Sequence, residues 1–317
     1  DNKEDFTMAA VTAAMVKELR EMTGAGMMDC KKALGQTDGD MDKAVEFLRE
    51  NGLAKAAKKA GRIAAEGLVT AVVDGDKNAA IVEVNSETDF VAKNADFAEY
   101  VAEVANQALT TEAADIDAFM KEAWKSEPTK TVEEALAGKI AVIGENLKIR
   151  RFERVAIDNG CVVSYIHGAG RIGVLVVADT AVVNDDVKEA LKNIAMQIAA
   201  MNPKYISRAD VDQDYIEGEK KVLLAEAKNE KPDANEKMLE GIVNGRINKQ
   251  LKEICLMDQV YVKAEDGKQS VAAYLADVSK KVGSDVKVVK FVRFETGEGL
   301  EKKNEDFAAE VAAQMGM

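Results

Sequence analysis

The sequence contains a single histidine and only three cysteines, Cys30, Cys161 and Cys255. One imidazole cannot be joined by a second at metal-ligand spacing, and the cysteines neither pair at short spacing nor form an even set. Neither a zinc site nor a disulfide framework is therefore expected. Thiols this few and this far apart fit a reducing cytosol, where they behave as small apolar residues. Long apolar runs are also missing: none approaches the length of about 18 residues that spans a bilayer. The first residues are acidic rather than basic and then apolar, so no secretion signal is expected and the chain is placed in the cytoplasm. An excess of positive charge is lacking as well, with 43 Lys and Arg against 56 Asp and Glu, a formal net charge of -13. Such a field repels phosphate backbones and anionic lipid surfaces, so direct nucleic-acid or membrane binding is not expected.

What is present is a chain of 317 residues, long enough for two or three domains that each bury a core. Asp1 to Thr7, ahead of Met8, lacks periodicity and reads as a tag remnant or disordered tail. From Thr12 to about Gly52 the pattern predicts three short helices. Thr12 caps the first, whose Met15, Val16 and Leu19 form one stripe; Thr23 to Gly26 breaks the chain; Asp40 caps the third, and Gly52 is expected to stop it. Lys55 to Arg62 follows as a basic, Ala-rich connector. The period then changes: Gly67 to Val73 and Ala79 to Val84 are β-rich about a turn at Asp74 to Asn78, which predicts a hairpin. A helix carrying Phe97, Val101, Val104 and Leu109 comes next, then helical runs over Ile116 to Trp124 and Val132 to Ile143.

The same order returns, with strands at Gly160 to Ile166 and Ile172 to Ala178, a turn at His167 to Arg171, and a helix over Val187 to Met201. The spacing from Gly67 to Ile81 equals that from Gly160 to Val174, so an internal duplication is expected, two α+β halves with antiparallel sheets. Val211 to Lys228 and Ala234 to Ile254 are helical and split by Asn229 to Asp233. Leu239, Ile242, Val243, Ile247, Leu251 and Ile254 make the narrow stripe of an antiparallel helical hairpin that contacts a partner or a second copy. Val286 to Phe294 alternates as a strand, and Asp306 to Met315 closes the chain as a helix, a candidate docking element.

Chemistry is hard to find in this pattern. The lone His167 falls in a hairpin turn, a poor place for a buried, oriented base, and is expected to be exposed or to touch a partner. Gly168-Ala169-Gly170-Arg171-Ile172-Gly173 matches the Gly-x-Gly-x-x-Gly pattern of dinucleotide sites, which would suit a dehydrogenase. In those sites a helix must follow; here Val174 to Ala178 are β-branched and apolar, so the glycines are expected to shape a turn. Gly24-Ala25-Gly26 lacks the Lys-Ser/Thr of a phosphate loop. No catalytic site, metal or cofactor is expected. Glu87 to Asn94 stands out instead, a polar segment holding an aromatic residue after the first hairpin. Phe90 there is either a plug under its own helix or a wedge offered to a partner, and the residues alone leave both open.

Seven segments match one family in order from Met8 to Met317: Lys17-Glu18-Leu19-Arg20, TGAGMMDCKKAL (Thr23 to Leu34), KAAKKAG (Lys55 to Gly61), TDFVAKN (Thr88 to Asn94), GENLKIRR (Gly144 to Arg151), RIGVLV (Arg171 to Val176) and FVRFETGEGLEK (Phe291 to Lys302). On these the chain resembles the bacterial elongation factor Ts family. The resemblance implies a nucleotide-exchange factor for the GTPase elongation factor Tu and no enzyme activity of its own. It implies a tail at 1–7, a ubiquitin-associated-like (UBA-like) helical domain at 8–60, a core N-subdomain at 61–145, and a core C-subdomain at 146–285. A coiled-coil arm at about 208–256 and a final strand with a C-terminal module at 286–317 complete the division. Thr88, Asp89, Phe90 and Val91 would take the wedge role, acting near the magnesium and phosphate loop of the GTPase. Arg20, Met27, Met28, Lys31, His167 and Met315 would dock it, and the arm could pair two copies. Gly170 lengthens the His167 turn by a residue relative to the family. From another class, a structural subunit that scaffolds the GTPase fits the same partner.

Overall fold

The computed structural model describes residues 11–302; the tail at 1–7 and the terminal helix over Asp306 to Met315 lie outside the described residues. The chain mixes helix and sheet, as the α+β reading requires. The described residues divide into two compact units, one from 11–69, 82–152 and 296–302, the other from 70–81 and 153–295.

The first helices are α1 (Ala13–Thr23), α2 (Met27–Gln36) and α3 (Met41–Lys59). Thr12 caps α1 by accepting a hydrogen bond from Met15 N, Gly24 ends it at φ 67°, and Asp40 accepts from Lys43 N at the start of α3. Each satisfies an N–H or carbonyl that a helix end leaves without a partner. Val16, Leu19, Cys30, Ala33, Leu34 and Ala44 form the core of this module, with Met15, Met41, Val45 and Leu48 packed against it.

The hairpin follows as β1 (Glu66–Asp74) and β2 (Asn78–Ser86), then the one-turn α4 (Asp89–Ala92), α5 (Ala95–Leu109), α6 (Ile116–Lys121), α7 (Val132–Ile143) and β3 (Lys148–Ala156). The sheet runs β1-β2-β3. Two corrections belong here. Gly52 does not stop α3, which runs on to Lys59. That glycine is buried where α3 packs against α7, and even a Cβ on it would meet Ala137 O at an ordinary contact distance of 3.7 Å, so the helix passes through it without a break. The strand β3 has no counterpart among the sequence-derived elements, because Lys148, Arg150, Arg151, Glu153 and Arg154 hide its alternation; Ile149 and Val155 are its buried members.

The second half repeats this plan with β4 (Cys161–His167), β5 (Ile172–Asp179) and α8 (Asp185–Met201). The arm helices α9 (Gln213–Glu230) and α10 (Glu236–Ile254) follow, then α11 (Val271–Val282) and β6 (Lys287–Glu295). The strands pair antiparallel in the order β4-β5-β6, with Cys161 opposite Ala178 and Ile172 opposite Glu295. Both α7 and α11 have 12 residues, end at left-handed glycines (Gly144, φ 85°; Gly283, φ 71°), and lead into strands of 9 residues. Gly67 and Gly160 both take φ 129°, each backed against an opposing strand, at Val84 and Ala178 respectively. These partners put Ile81 in register with Leu175, not Val174. The equal-spacing argument is off by one because residues 168–171 connect β4 to β5 where 75–77 suffice between β1 and β2.

Two buried glutamines carry the repeat down to single hydrogen bonds. Gln107 Nε2 donates to Ala123 O (3.2 Å), and Lys125 N donates to Gln107 Oε1 (2.9 Å). Gln197 Nε2 donates to Val260 O (3.0 Å), and Val262 N donates to Gln197 Oε1 (2.8 Å). Each amide thus satisfies an irregular segment just ahead of α7 or α11. In the second half the arm is inserted between the glutamine and its partners. Leu239, Val243, Ile247 and Leu251 of α10 are buried in the arm, where Leu223 and Ala227 of α9 are also buried. At its base Tyr205 N donates to Ile254 O (3.1 Å), Leu256 N to Tyr205 O (2.9 Å) and Met257 N to Ile206 O (2.9 Å).

Candidate functional site

Strand β2 is buried along nearly its whole length and delivers the chain at Ser86 to the segment Glu87 to Asn94. Thr88 caps α4, its Oγ1 accepting from Val91 N (3.3 Å), and Ser86 Oγ donates to Thr88 O (2.9 Å). Four residues form that helix and none of them is buried. So short a helix, with no apolar face in the core, has little stability of its own.

It is held from outside. The left-handed Gly144 turns the chain after α7 so that Glu145 faces the loop. Glu145 Oε2 accepts from Glu87 N and from Thr88 N, both at 3.1 Å, and Oε1 accepts from Thr88 Oγ1 at 2.6 Å. Glu87 answers in the other direction, its Oε1 accepting from Asn146 N at 2.6 Å and from Arg62 Nη1 at 3.5 Å. Asn146 Nδ2 in turn donates to Arg62 O (2.8 Å). Two carboxylates thus clasp each other's backbone.

Earlier on β2, Glu83 is fully buried and accepts from Arg151 Nε (2.6 Å), Arg150 Nη1 (3.1 Å), Asn85 Nδ2 (3.0 Å) and Gly297 N (2.8 Å). Burial by itself would raise this carboxyl, but the Gly297 N–H, the Asn85 amide and the Arg151 guanidinium outweigh it and hold it below the usual glutamate range.

On the turn held by Glu145, Phe90 stands 81% exposed. Of the two readings left open, the plug is excluded: the ring does not pack under its own helix. Asp89 is exposed too and pairs with Lys93 Nζ at 2.6 Å. The hydrogen bond from Lys93 holds its carboxyl below the ordinary aspartate range. Val91 is half-buried. Thr88, Asp89, Phe90 and Val91 therefore form one contiguous feature, an aromatic ring and a carboxylate displayed on a fixed turn.

In the helical module Met27 (59%) and Met28 (75%) open α2 with their side chains exposed, and Lys31, also exposed, follows about one turn on. Arg20 is exposed in the last turn of α1, close in sequence to Met22, which is 53% exposed and extends the apolar surface. Met22 was not singled out from the sequence, though exposed methionines flanking a helix break carry the same signal. His167 is exposed at the end of β4, paired with Ile172, and its Nδ1 lies 2.9 Å from Tyr165 Oη. After it Gly168, Ala169 and Gly170 all take positive φ (59°, 53° and 97°), and β5 rather than a helix follows. The glycine pattern here is a turn and not a dinucleotide site. Met315 lies outside the described residues. Glu87 and Glu145 both fall in segments that stand out in the sequence, but their clasping role was not legible there, since a carboxylate in a loop looks solvated until its donors are seen.

Among the described residues no helix is long and apolar enough to cross a membrane. The family model described as Elongation factor TS matches residues 87–298. Elongation factor Ts of Clostridioides difficile (strain 630) is 54% identical over 309 residues, covering 97% of this chain and 100% of that protein. Its counterpart in Clostridium novyi (strain NT) is 53% identical over 307 residues, 96% and 99% of the two chains. With a family match over residues 87–298 and a likeness of this extent to whole relatives, the chain belongs to the elongation factor Ts family of translation elongation factors.

Proposed function

We propose that this chain is a guanine-nucleotide exchange factor for elongation factor Tu, releasing GDP by disturbing the magnesium and phosphate site of that GTPase during translation elongation. The observation that carries the reading is the exposure of Phe90, 81% on a turn whose ends are pinned. A large ring left in water costs the free protein hydration free energy that a partner pocket can recover. The chain performs no chemical step and holds no cofactor. Factor and GDP favour two arrangements of one loop on the partner, so each weakens the other's binding by the same factor.

Loosening GDP ten-thousandfold takes about 5.5 kcal/mol of differential binding, whereas one aromatic anchor contributes on the order of 2 to 4 kcal/mol. Wider contact must hold the strained state. For this we assign α1 to α3 as a UBA-like docking domain (8–60) that uses Arg20, Met27, Met28 and Lys31, with His167 and Met315 as further contacts. The core N-subdomain (61–145) presents the wedge, the C-subdomain (146–285) bears α9 and α10 as an antiparallel coiled-coil arm that could pair two copies, and 286–317 is the C-terminal module. The protein acts in the cytoplasm without direct contact to nucleic acid or membrane.

Release of fluorescent GDP from elongation factor Tu, at substoichiometric amounts of this chain, tests the proposal. Multiple turnovers are expected; binding at full stoichiometry without accelerated release would make the chain a scaffold for the GTPase instead. Phe90→Ala is expected to slow release by roughly 30-fold or more with thermal stability unchanged within about 0.5 kcal/mol. Met27→Ala and Met28→Ala should chiefly weaken docking. Equal effects of all three on affinity and release would contradict that division.

A further inference from the structure

We infer that Glu145 is the positioning residue for exchange: its carboxylate fixes the α4 turn, and through it the direction in which Phe90 enters the partner. The inference rests on the exchange-factor reading above. It stands on three donors that converge on one side chain, Glu87 N and Thr88 N at 3.1 Å and Thr88 Oγ1 at 2.6 Å, 57 and 58 residues away in the chain. Since α4 has no fully buried side chain and only Val91 and Ala92 are half-buried, apolar packing orders it weakly. Order must come from polar anchors, and Thr88, the cap of α4, is the residue that Glu145 holds. The return bond from Asn146 N to Glu87 Oε1 (2.6 Å) closes a ring of hydrogen bonds, so the turn cannot swing about a single contact.

A rigid turn matters because a wedge works by direction. A ring on a loose loop would still find apolar contact on the partner, adding affinity, but would spread its force over many orientations. Removal of Glu145 should therefore lower the maximal rate and leave docking in place.

The test uses the full chain carrying Glu145→Ala, Glu145→Gln, Phe90→Ala and the double variant Phe90→Ala/Glu145→Ala. In Glu145→Ala, hydrogen exchange at the amides of Thr88 and Val91 is expected to accelerate roughly tenfold or more. The maximal rate of GDP release should fall about tenfold, while the half-saturating concentration moves less than about twofold. Glu145→Gln keeps an oxygen for the two N–H donors and should recover part of both, which also guards against a folding defect in the alanine variant. In the Phe90→Ala background the same change should have no further effect, because both residues act through one element. Unaltered amide protection in Glu145→Ala, or a further loss in the double variant, overturns the inference. If Phe90→Ala alone leaves release at the wild-type rate, the wedge reading fails, and amide protection by itself then decides whether Glu145 orders the turn.

Discussion

Replacing Glu83 with alanine should destabilise the unit in which it lies. The side chain is completely buried, and donors on four residues converge on it: Arg150, Arg151, Asn85 and the Gly297 backbone. Removing one partner of a buried ion pair costs about 3 to 5 kcal/mol. The side chains of Arg150 and Arg151 are 20% and 28% exposed and can partly rehydrate, which favours the lower end, about 3 kcal/mol. At a urea slope of roughly 2 to 3 kcal/mol per molar, the midpoint should move down by about 1 to 1.5 M. The assay is built into the sequence. Its single tryptophan, Trp124, is 5% exposed and lies in the same unit as Glu83, so its fluorescence reports on that unit. Glu83→Gln keeps one acceptor oxygen and should lose about half as much. Acidity offers an independent handle. The folded carboxyl ionises at lower pH than the unfolded one, so its contribution is complete above the ordinary glutamate pKa and is lost as pH falls through the lower folded value. Between about pH 5 and pH 3 the wild type should accordingly lose more stability than Glu83→Gln. A midpoint shift below about 0.3 M for Glu83→Ala would refute the view that this carboxylate holds the unit together.

The repeated glycines and glutamines make two further predictions. Gly67→Ala and Gly160→Ala place a Cβ at φ 129° against an opposing carbonyl, so each should cost about 2 to 3 kcal/mol or more, read as a fall in the urea midpoint; a change under about 0.5 kcal/mol would contradict the close approach. Gln107→Ala and Gln197→Ala each strand two backbone groups and should each cost about 2 to 3 kcal/mol. Both costs are read as a fall in the urea midpoint, the first through Trp124 fluorescence, since Gln107 and Trp124 lie in the same unit.

Much of the local structure was legible because its signals are local. Thr12 and Asp40 cap helices through bonds to residues three positions away, and the switch from period 3.6 to period 2 marks the hairpins. The double copy was legible too, although the extra turn residue shifted its register from Val174 to Leu175. What stayed hidden depends on partners far along the chain. Strand β3 is too charged to alternate visibly, and its arginines make sense only opposite Glu83. Gly52 has the form of a helix stop until α7 is seen against it. At the candidate site, the TDFV segment could be picked out as unusual, but the carboxylate that holds it, Glu145, lies 57 residues beyond Thr88 and the exposure of Phe90 shows only in the fold. The seven family segments, rather than any periodicity, supplied the link between that loop and a GTPase.

The chain enters and leaves the α9–α10 hairpin at one point, where Tyr205 and Ile206 bond to Ile254, Leu256 and Met257. Beyond that seam the insertion is tied back at its base by Arg208 Nε to Asp258 Oδ2 (2.5 Å) and by Gln259 Nε2, which donates to Glu253 O (2.7 Å). Doubling the length of a closed loop adds only about 0.6 kcal/mol of entropic cost, so helical turns can be gained or lost there in matched pairs while Gln197 still meets Val260 and Val262. The insertion can thus be lengthened or trimmed at its far end, while a replacement would have to keep the stem spacing, an arginine to meet Asp258 and a carbonyl to meet Gln259.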